Sequence, residues 1–511
     1  MEFQRRRRDV KVPMTKRKKS EYRKSGKKSH HPEKKYSRQH QGRANRTDGK
    51  SKGKLKANDV RQRSQKTVTA EVTCSGLTDG GKGIVQWEGK QLEVANLLPG
   101  ETAEVNISKK GRFFDIELER VIKSSEVRVN LPRSSYYKGV GCHIQHMNEH
   151  AQKRFKQKII DELMKPFGKP EPIITMEFPF YYRNKNVMTF GLNKKRQIIS
   201  GLYAENTHKI IPMERSIIHD QKADEIIQTI KGMMKSFKMQ PYREDTGQGF
   251  LRHVLVRVGK VSGEIMVVLV VASPMFKGKN NFVKALRKAH PEITTLLMNV
   301  NKRNDSMILG NQEKVLFGKG TITDTLCGLK FDISAKSFYQ INPVQTEKLY
   351  AKAIEMAELT GKETVVDAYC GIGTIGLIAS QEAGKVIGVE LNKDAVRDAI
   401  HNSKRNGVKN ARFYQGDAGE FMVKMAARGE KADVVIMDPP RSGSDEAFLS
   451  SVVKLQPKRV VYVSCNPVTQ ARDLKYLVKN GYAVEGIQPV DMFPQTVHVE
   501  AVTKLVLKMP N

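Results

Sequence analysis

Cys465 ends an apolar run, Val460-Val461-Tyr462-Val463-Ser464, and Asn466-Pro467 follows it. The run reads as a buried strand. Proline fixes its own φ and restricts the residue before it, so the chain must turn just past Cys465. A thiol at the carboxyl end of a parallel strand lies where open α/β sheets bind their ligands. An inert, buried cysteine is the plain alternative, since free cysteine is among the most buried residue types. Asp438 stands in a similar place: it follows Val434-Val435-Ile436-Met437 and opens Asp438-Pro439-Pro440-Arg441. Glu500 is the one carboxylate in Thr496–Val502, a segment that reads as a strand. A carboxylate in an apolar setting has a raised pKa and can take a proton near neutral pH. His498, two residues earlier and on the same strand face, is a rival base or a packing residue.

The cofactor follows from the glycines. Thr364-Val365-Val366 reads as a strand that ends at Asp367, and Ala368-Tyr369-Cys370-Gly371-Ile372-Gly373-Thr374 forms a loop. Gly371, Gly373 and Gly376 satisfy G-x-G-x-x-G, with an acid, Glu390, 19 positions after Gly371. That is also the dinucleotide fingerprint. Asp367, however, would set a negative charge against a pyrophosphate, whereas it would welcome the sulfonium of S-adenosylmethionine. Asp438-Pro439-Pro440 after a later strand also resembles the layout of S-adenosylmethionine enzymes that act on planar nitrogen heterocycles. Glu390 suits ribose hydroxyls in either case. An aromatic residue after Asp-Pro-Pro would favour methylation of an exocyclic amine; Arg441 stands there instead. Cys465 then has a use. Carbon 5 of uracil is a poor nucleophile until a thiolate adds to carbon 6, and a base must afterwards remove the carbon 5 proton. The thiol needs a lowered pKa or a nearby base to react.

These residues need a scaffold. From about residue 321 to 511, strands alternate with helices: Val386–Val389 ends at Glu390, a helix spans Lys393–Arg405, Ala411–Tyr414 leads to Gly416-Asp417, and the Asp438 and Cys465 strands follow. Such alternation predicts an α/β fold with a doubly wound parallel sheet, and each polar residue falls at its ligand edge. Residues 126–320 mix helical and strand patterns and read as an α+β domain that helps hold a substrate. Ala151–Met164 has helical spacing with a basic face of Lys153, Arg154, Lys156 and Lys158. Tyr181-Tyr182-Arg183-Asn184-Lys185-Asn186 interleaves aromatic and basic residues, which suits unpaired bases and phosphates or an ordinary amphipathic strand. Residues 66–125 alternate apolar and polar residues between turns such as Asp79-Gly80-Gly81, and predict a small OB-like β-barrel.

Residues 1–65 read as a disordered basic tail. Residues 1–66 carry 25 lysines and arginines against six acids, +19 of the net +35. With a pI of about 9.8 the chain calls for a polyanion, and the tail for sequence-independent, salt-sensitive attraction to nucleic acid. No apolar run is long enough for a membrane span and the N-terminus has no signal-peptide core. The five scattered cysteines fit a reducing cytoplasm. Cys142, His143 and His146 offer a metal three ligands without an evident fourth.

Ser337-Phe338-Tyr339-Gln340-Ile341-Asn342, Asp367–Gly373, Asp438-Pro439-Pro440-Arg441, Ser464-Cys465-Asn466-Pro467 and His498-Val499-Glu500 occur in an order that resembles bacterial RNA uracil-5-methyltransferases. The resemblance runs from about residue 66 to the end. It implies a Rossmann-like S-adenosylmethionine methyltransferase domain behind an RNA-binding TRAM domain, with Cys465 as nucleophile and Glu500 as the proton-abstracting base. It implies contacts from Gln340, Tyr369, Glu390, Asp417 and Asp438 to S-adenosylmethionine; Thr374 holds a position often occupied by asparagine. The likeness is to the branch acting on 23S ribosomal RNA, because the transfer-RNA branch generally lacks the TRAM domain. The alternatives are the same chemistry on transfer RNA and a non-catalytic RNA-binding assembly factor; no protein partner is indicated. Some relatives hold an iron–sulfur cluster through four cysteines after the TRAM domain. Tyr136–Cys142 keeps one, so no cluster is expected.

Overall fold

The computed structural model describes residues 67–110, 113–129, 141–205, 207–303 and 305–508. The basic tail and Tyr136–Val140 lie outside the described residues. The first sheet contains β1 (Thr67–Leu77), β2 (Gly83–Trp87), β3 (Lys90–Val94), β4 (Thr102–Lys110) and β5 (Phe113–Lys123), in the order β3-β2-β1-β4-β5. All pairings are antiparallel, and the two outer strands, β3 and β5, touch, so the sheet curls towards a barrel. Alternation explains it: Val72, Cys74, Val85, Val94, Ala103 and Val105 turn inward and their neighbours face out.

After α1 (Glu149–Met164) come β6 (Lys185–Leu192), β7 (Ile198–Tyr203), β8 (Ile210–Pro212), α2 (Gln221–Met233), β9 (Leu251–Val258), β10 (Ile265–Val271), α3 (Lys279–Ala289), β11 (Ile293–Val300) and β12 (Gln312–Phe317). Their sheet runs β12-β11-β10-β9-β6-β7-β8. Every residue of β10 is buried and apolar, as befits a central strand covered on both faces.

A hairpin, β13 (Ile322–Leu326) and β14 (Leu329–Ile333), leads into the last sheet. There follow α4 (Pro343–Ala357), β15 (Thr364–Ala368), α5 (Thr374–Ala379), β16 (Lys385–Glu390), α6 (Lys393–Arg405), β17 (Ala411–Gln415), α7 (Ala418–Ala427), β18 (Val434–Met437), α8 (Glu446–Leu455), β19 (Arg459–Ser464), α9 (Pro467–Lys479), β20 (Tyr482–Val490) and β21 (Glu500–Leu507). The order β17-β16-β15-β18-β19-β21-β20 reverses direction between β15 and β18, which makes the expected doubly wound α/β sheet. Strands β15 to β19 are parallel, and β21 runs antiparallel between β19 and β20. Helix starts follow side chains that accept from the first turn: Asn342 before Pro343, Asn392, Asp417, Asp445, and Asn466 before Pro467.

Two sequence expectations are corrected. The strand expected over Thr496–Val502 begins only at Glu500, so His498 lies outside it. Residues 491–499 form a turning loop, with Gln495 at φ +70° and the Thr496 amide and hydroxyl donating to the Phe493 carbonyl. Nor is Lys156 on the basic face of α1: it is buried, and its Nζ donates to Asp491 at 2.5 Å and to the Phe493 carbonyl at 3.0 Å.

Candidate active site

The carboxyl edge of the last sheet collects the candidate residues. Ala368 pairs with Val389 and with Met437, and Met437 pairs with Tyr462. Tyr369, Glu390 and Asp438 therefore leave neighbouring strands at one level. Ser464 pairs with Ala501, so the next step of that antiparallel register brings Cys465 opposite Glu500. Glu500 reaches this edge because β21 runs against its neighbours and starts where they end.

The loop after β15 is shaped by contact. Asp367 is buried and accepts from the Gly376 amide at 2.8 Å. A Cβ at Gly376 would lie 2.7 Å from the Asp367 Oδ2, so the glycine is what admits the carboxylate. Burial pushes Asp367 up to about 8, with the nearby Asp438 and Glu390 adding to the rise. Glu390 accepts from the amides of Gly371 at 3.1 Å and Asn392 at 2.7 Å, which fixes a carboxylate beside an open turn. Gly371 has φ +56° and open space where a side chain would stand. Tyr369 has φ +64°, stacks its ring 4.9 Å from Phe448, and places its hydroxyl 3.5 Å from Ser444 Oγ. Asp417 is exposed and caps α7 through the Glu420 amide. Gln340 is buried; its carbonyl accepts from Asn184 Nδ2 at 2.9 Å, and its side-chain amide makes no hydrogen bond among the described residues. Thr374 opens α5, with its hydroxyl 3.5 Å from Tyr350. An open glycine turn flanked by a fixed carboxylate, and a buried acid, Asp367, that no cation pairs among the described residues, fit a sulfonium-bearing nucleoside.

Asp438 is half-buried and accepts no hydrogen bond from a described residue; burial alone raises it to about 7. Glu500 is buried and equally without a donor, and burial together with Asp438 raises it to about 8 against the pull of Arg441. Cys465 is half-buried and raised to about 11 by burial, then by Glu500 and Asp438, with Arg441 opposing. The edge thus gathers groups that burial keeps protonated and whose charges would repel one another. Arg441 is exposed and is the cation that faces them; its carbonyl accepts from Asn466 Nδ2 at 2.9 Å, which ties the Asp438 turn to the Cys465 turn. His498 is pushed down to about 4 by burial and by Arg441, and packs edge-on against His143 and Phe493. It is the weaker base of the two.

Cys142, His143 and His146 do not form a metal group: among the described residues no three histidines, cysteines or acids converge for one. All five thiols are free, and no described helix is long and apolar enough to cross a membrane. A groove on the outer face of α1 is lined by Lys153, Arg154, Lys158, Lys165 and Lys169, with none of the candidate residues in its wall.

A family model described as tRNA (uracil-5-)-methyltransferase matches residues 148–508. The chain belongs to that family. It is a methyltransferase that acts on RNA with S-adenosylmethionine. Uncharacterised RNA methyltransferases of Halalkalibacterium halodurans and Listeria innocua are 42% and 40% identical to it, each over 87% of this chain and 98% and 99% of their own. In structure it is similar to the Pyrococcus abyssi tRNA (uracil-54, C5)-methyltransferase in complex with S-adenosyl-L-homocysteine. That likeness has a TM-score of 0.69, 26% identity, and coverage of 86% of this chain and 100% of the other.

Several residues of this methyltransferase's site had no signal in the sequence. Arg441 was noted only as a missing aromatic. The loop that leads to Glu500 is held by distant groups: Lys156, Gln152 on the Gln495 side chain and amide, Tyr182 on the Pro494 carbonyl, Asn342 on the Met492 carbonyl and Gln345 on the Asp491 carbonyl.

Proposed function

We propose that this enzyme makes 5-methyluridine in 23S ribosomal RNA in the cytoplasm, through a covalent adduct between Cys465 and the uracil ring. The observation that carries the reading is the register of β19 and β21, which sets the Cys465 thiol opposite a buried, donor-free Glu500. S-adenosylmethionine supplies the methyl group on a sulfonium; Gln340, Tyr369, Glu390, Asp417 and Asp438 would hold it. The Cys465 thiolate adds to carbon 6, and electron density moves to carbon 5, which takes up the methyl group. Glu500 then removes the carbon 5 proton, and the thiolate leaves as the ring regains its double bond. The uracil must leave its stack to reach the thiol. Both groups act in deprotonated form, so turnover is expected to rise with pH through about 8 as Glu500 loses its proton, and further towards about 11 as Cys465 does.

The five-stranded β-domain ahead of the catalytic sheet supports the ribosomal substrate, as an RNA-binding TRAM-like domain. Transfer RNA is the second reading, and the Pyrococcus abyssi enzyme named for it favours that reading because it covers 86% of this chain. Mass-spectrometric mapping of 5-methyluridine in ribosomal and transfer RNA, with and without the protein, separates them. Loss confined to 23S RNA is expected; loss confined to transfer RNA overturns the substrate, and no loss in either overturns the chemistry.

A further inference from the structure

The segment before β6 departs from ordinary strand geometry at one residue. Tyr181 has φ +51°, a conformation uncommon for a residue other than glycine. It is held there from both sides: its amide donates to the Ile217 carbonyl at 2.8 Å, and Lys260 Nζ donates to its carbonyl at 3.0 Å. Strain of this kind persists where the surroundings impose it, and it gathers at functional sites. Past Tyr181 burial alternates residue by residue, as in a strand. Tyr182, Asn184 and Asn186 are buried and bond inward, to the Pro494 carbonyl, the Gln340 carbonyl and the Asp220 and Asp224 oxygens. Tyr181 lies exposed on the other side with Arg183 and Lys185, which are half-buried; burial lowers the pKa of both cations, that of Lys185 to about 8, and neither makes an ion pair or side-chain hydrogen bond with a described residue.

Tyr181 does not stand alone. Phe178 is 61% exposed, and the rings of Phe178, Phe180 and Tyr181 lie 5.4 to 6.5 Å from one another. None of the three belongs to an apolar core among the described residues. An aromatic cluster with Phe178 and Tyr181 exposed and Phe180 half-buried, beside two half-buried unpaired cations, is complementary to a flat base with its phosphate, since every base has a face to stack and stacking tolerates any sequence. The strip touches both the loop that carries Gln340 and the loop that leads to Glu500, through the Asn184 and Tyr182 bonds above.

We propose that Phe178, Phe180 and Tyr181 form a stacking platform for the unpaired base next to the uridine that enters the Cys465 site. This rests on the uracil reading for the identity of the target, though not for the platform itself. The test uses the full chain, S-adenosylmethionine, and a single-stranded oligoribonucleotide with one uridine flanked by 2-aminopurine, whose fluorescence is quenched by stacking. Phe178→Ala and the double variant Phe178→Ala/Tyr181→Ala are expected to weaken binding about tenfold or more and to lose the quenching. Donor binding by calorimetry should stay unchanged, which shows the fold is intact, and Phe178→Tyr should restore both signals. Variants that bind and quench like the wild type overturn the proposal. Quenching that depends on Phe178 without methylated product keeps the platform and removes the uracil chemistry. Product formed by Phe178→Ala at an unchanged KM removes the platform and keeps the chemistry.

Discussion

The glycine edge and the Asp491–Val499 loop bring acids to the same end of the sheet by opposite means. At the glycine edge, Asp367, Glu390 and Asp438 each lie at or just beyond a strand end, and main-chain amides of the same glycine loop and strand ends fix the first two: Gly376, nine positions from Asp367, and Asn392 and Gly371, two and 19 positions from Glu390. Glu500 reaches its place through a loop whose main chain bonds to side chains of α1, α4 and the segment before β6. Local geometry therefore sets the proposed donor side, and packing between distant segments sets the proposed base. The donor side should tolerate damage elsewhere in the chain; the base should not.

Four changes break or sharpen that contrast. Cys465→Ala should lower kcat by about 10⁴-fold or more in single-turnover assays, as for loss of a covalent nucleophile, with stability within about 1 kcal/mol of the wild type. Glu500→Gln should cost about 10²- to 10⁴-fold, the range for a lost general base. It should also flatten the rise in rate through pH 8, followed as kcat against pH. Lys156→Met leaves Asp491 buried without its partner and should cost about 3–5 kcal/mol in urea unfolding. Lys158→Ala, on the exposed side of the same helix, should stay within about 0.5 kcal/mol. The surviving folded Lys156→Met protein should bind donor normally yet turn over slowly; equal losses of both would erase the contrast.

Asp438→Asn is expected to change stability with the opposite sign. A raised carboxyl favours the neutral form in the folded state, so the wild-type contribution is lost as pH climbs from the ordinary carboxylate range to about 7. Asparagine stays neutral. The donor-free variant should therefore be more stable than the wild type by on the order of 1–3 kcal/mol at pH 8, and equal to it below pH 4, in thermal melts. Activity should fall. No stabilisation at pH 8 would mean that Asp438 is not held against its charge.

What could be read in the sequence divides along the same line. Asp367, Glu390, Asp438 and Cys465 were legible because each is a polar residue that ends an apolar run, and a parallel sheet sends such residues to one edge. Thr496–Val502 was misread as one strand because its β-branched residues and alternation are those of a strand; its first half instead bonds to partners that no local pattern reveals. Lys156 and Asp491 are 335 positions apart, so the lysine counted as one more charge on a basic helix face. Tyr181 and Tyr182 are adjacent and chemically alike, yet one is exposed and the other buried; the alternation is a strand's, but which of the two turns inward goes with distant contacts such as the Tyr182 bond to the Pro494 carbonyl, 312 positions away.

The division of labour between Cys465 and Glu500 is tested most directly by trapping the adduct. In RNA that carries 5-fluorouridine, carbon 5 holds a fluorine that no base can remove as a proton, so the enzyme should stall after methyl transfer. The account predicts a denaturation-resistant protein–RNA species that needs S-adenosylmethionine, whose modified peptide by mass spectrometry contains Cys465, and which Cys465→Ala does not form. Glu500→Gln should accumulate the same species on ordinary uridine. No adduct with the wild type, or an adduct on another residue, would contradict it.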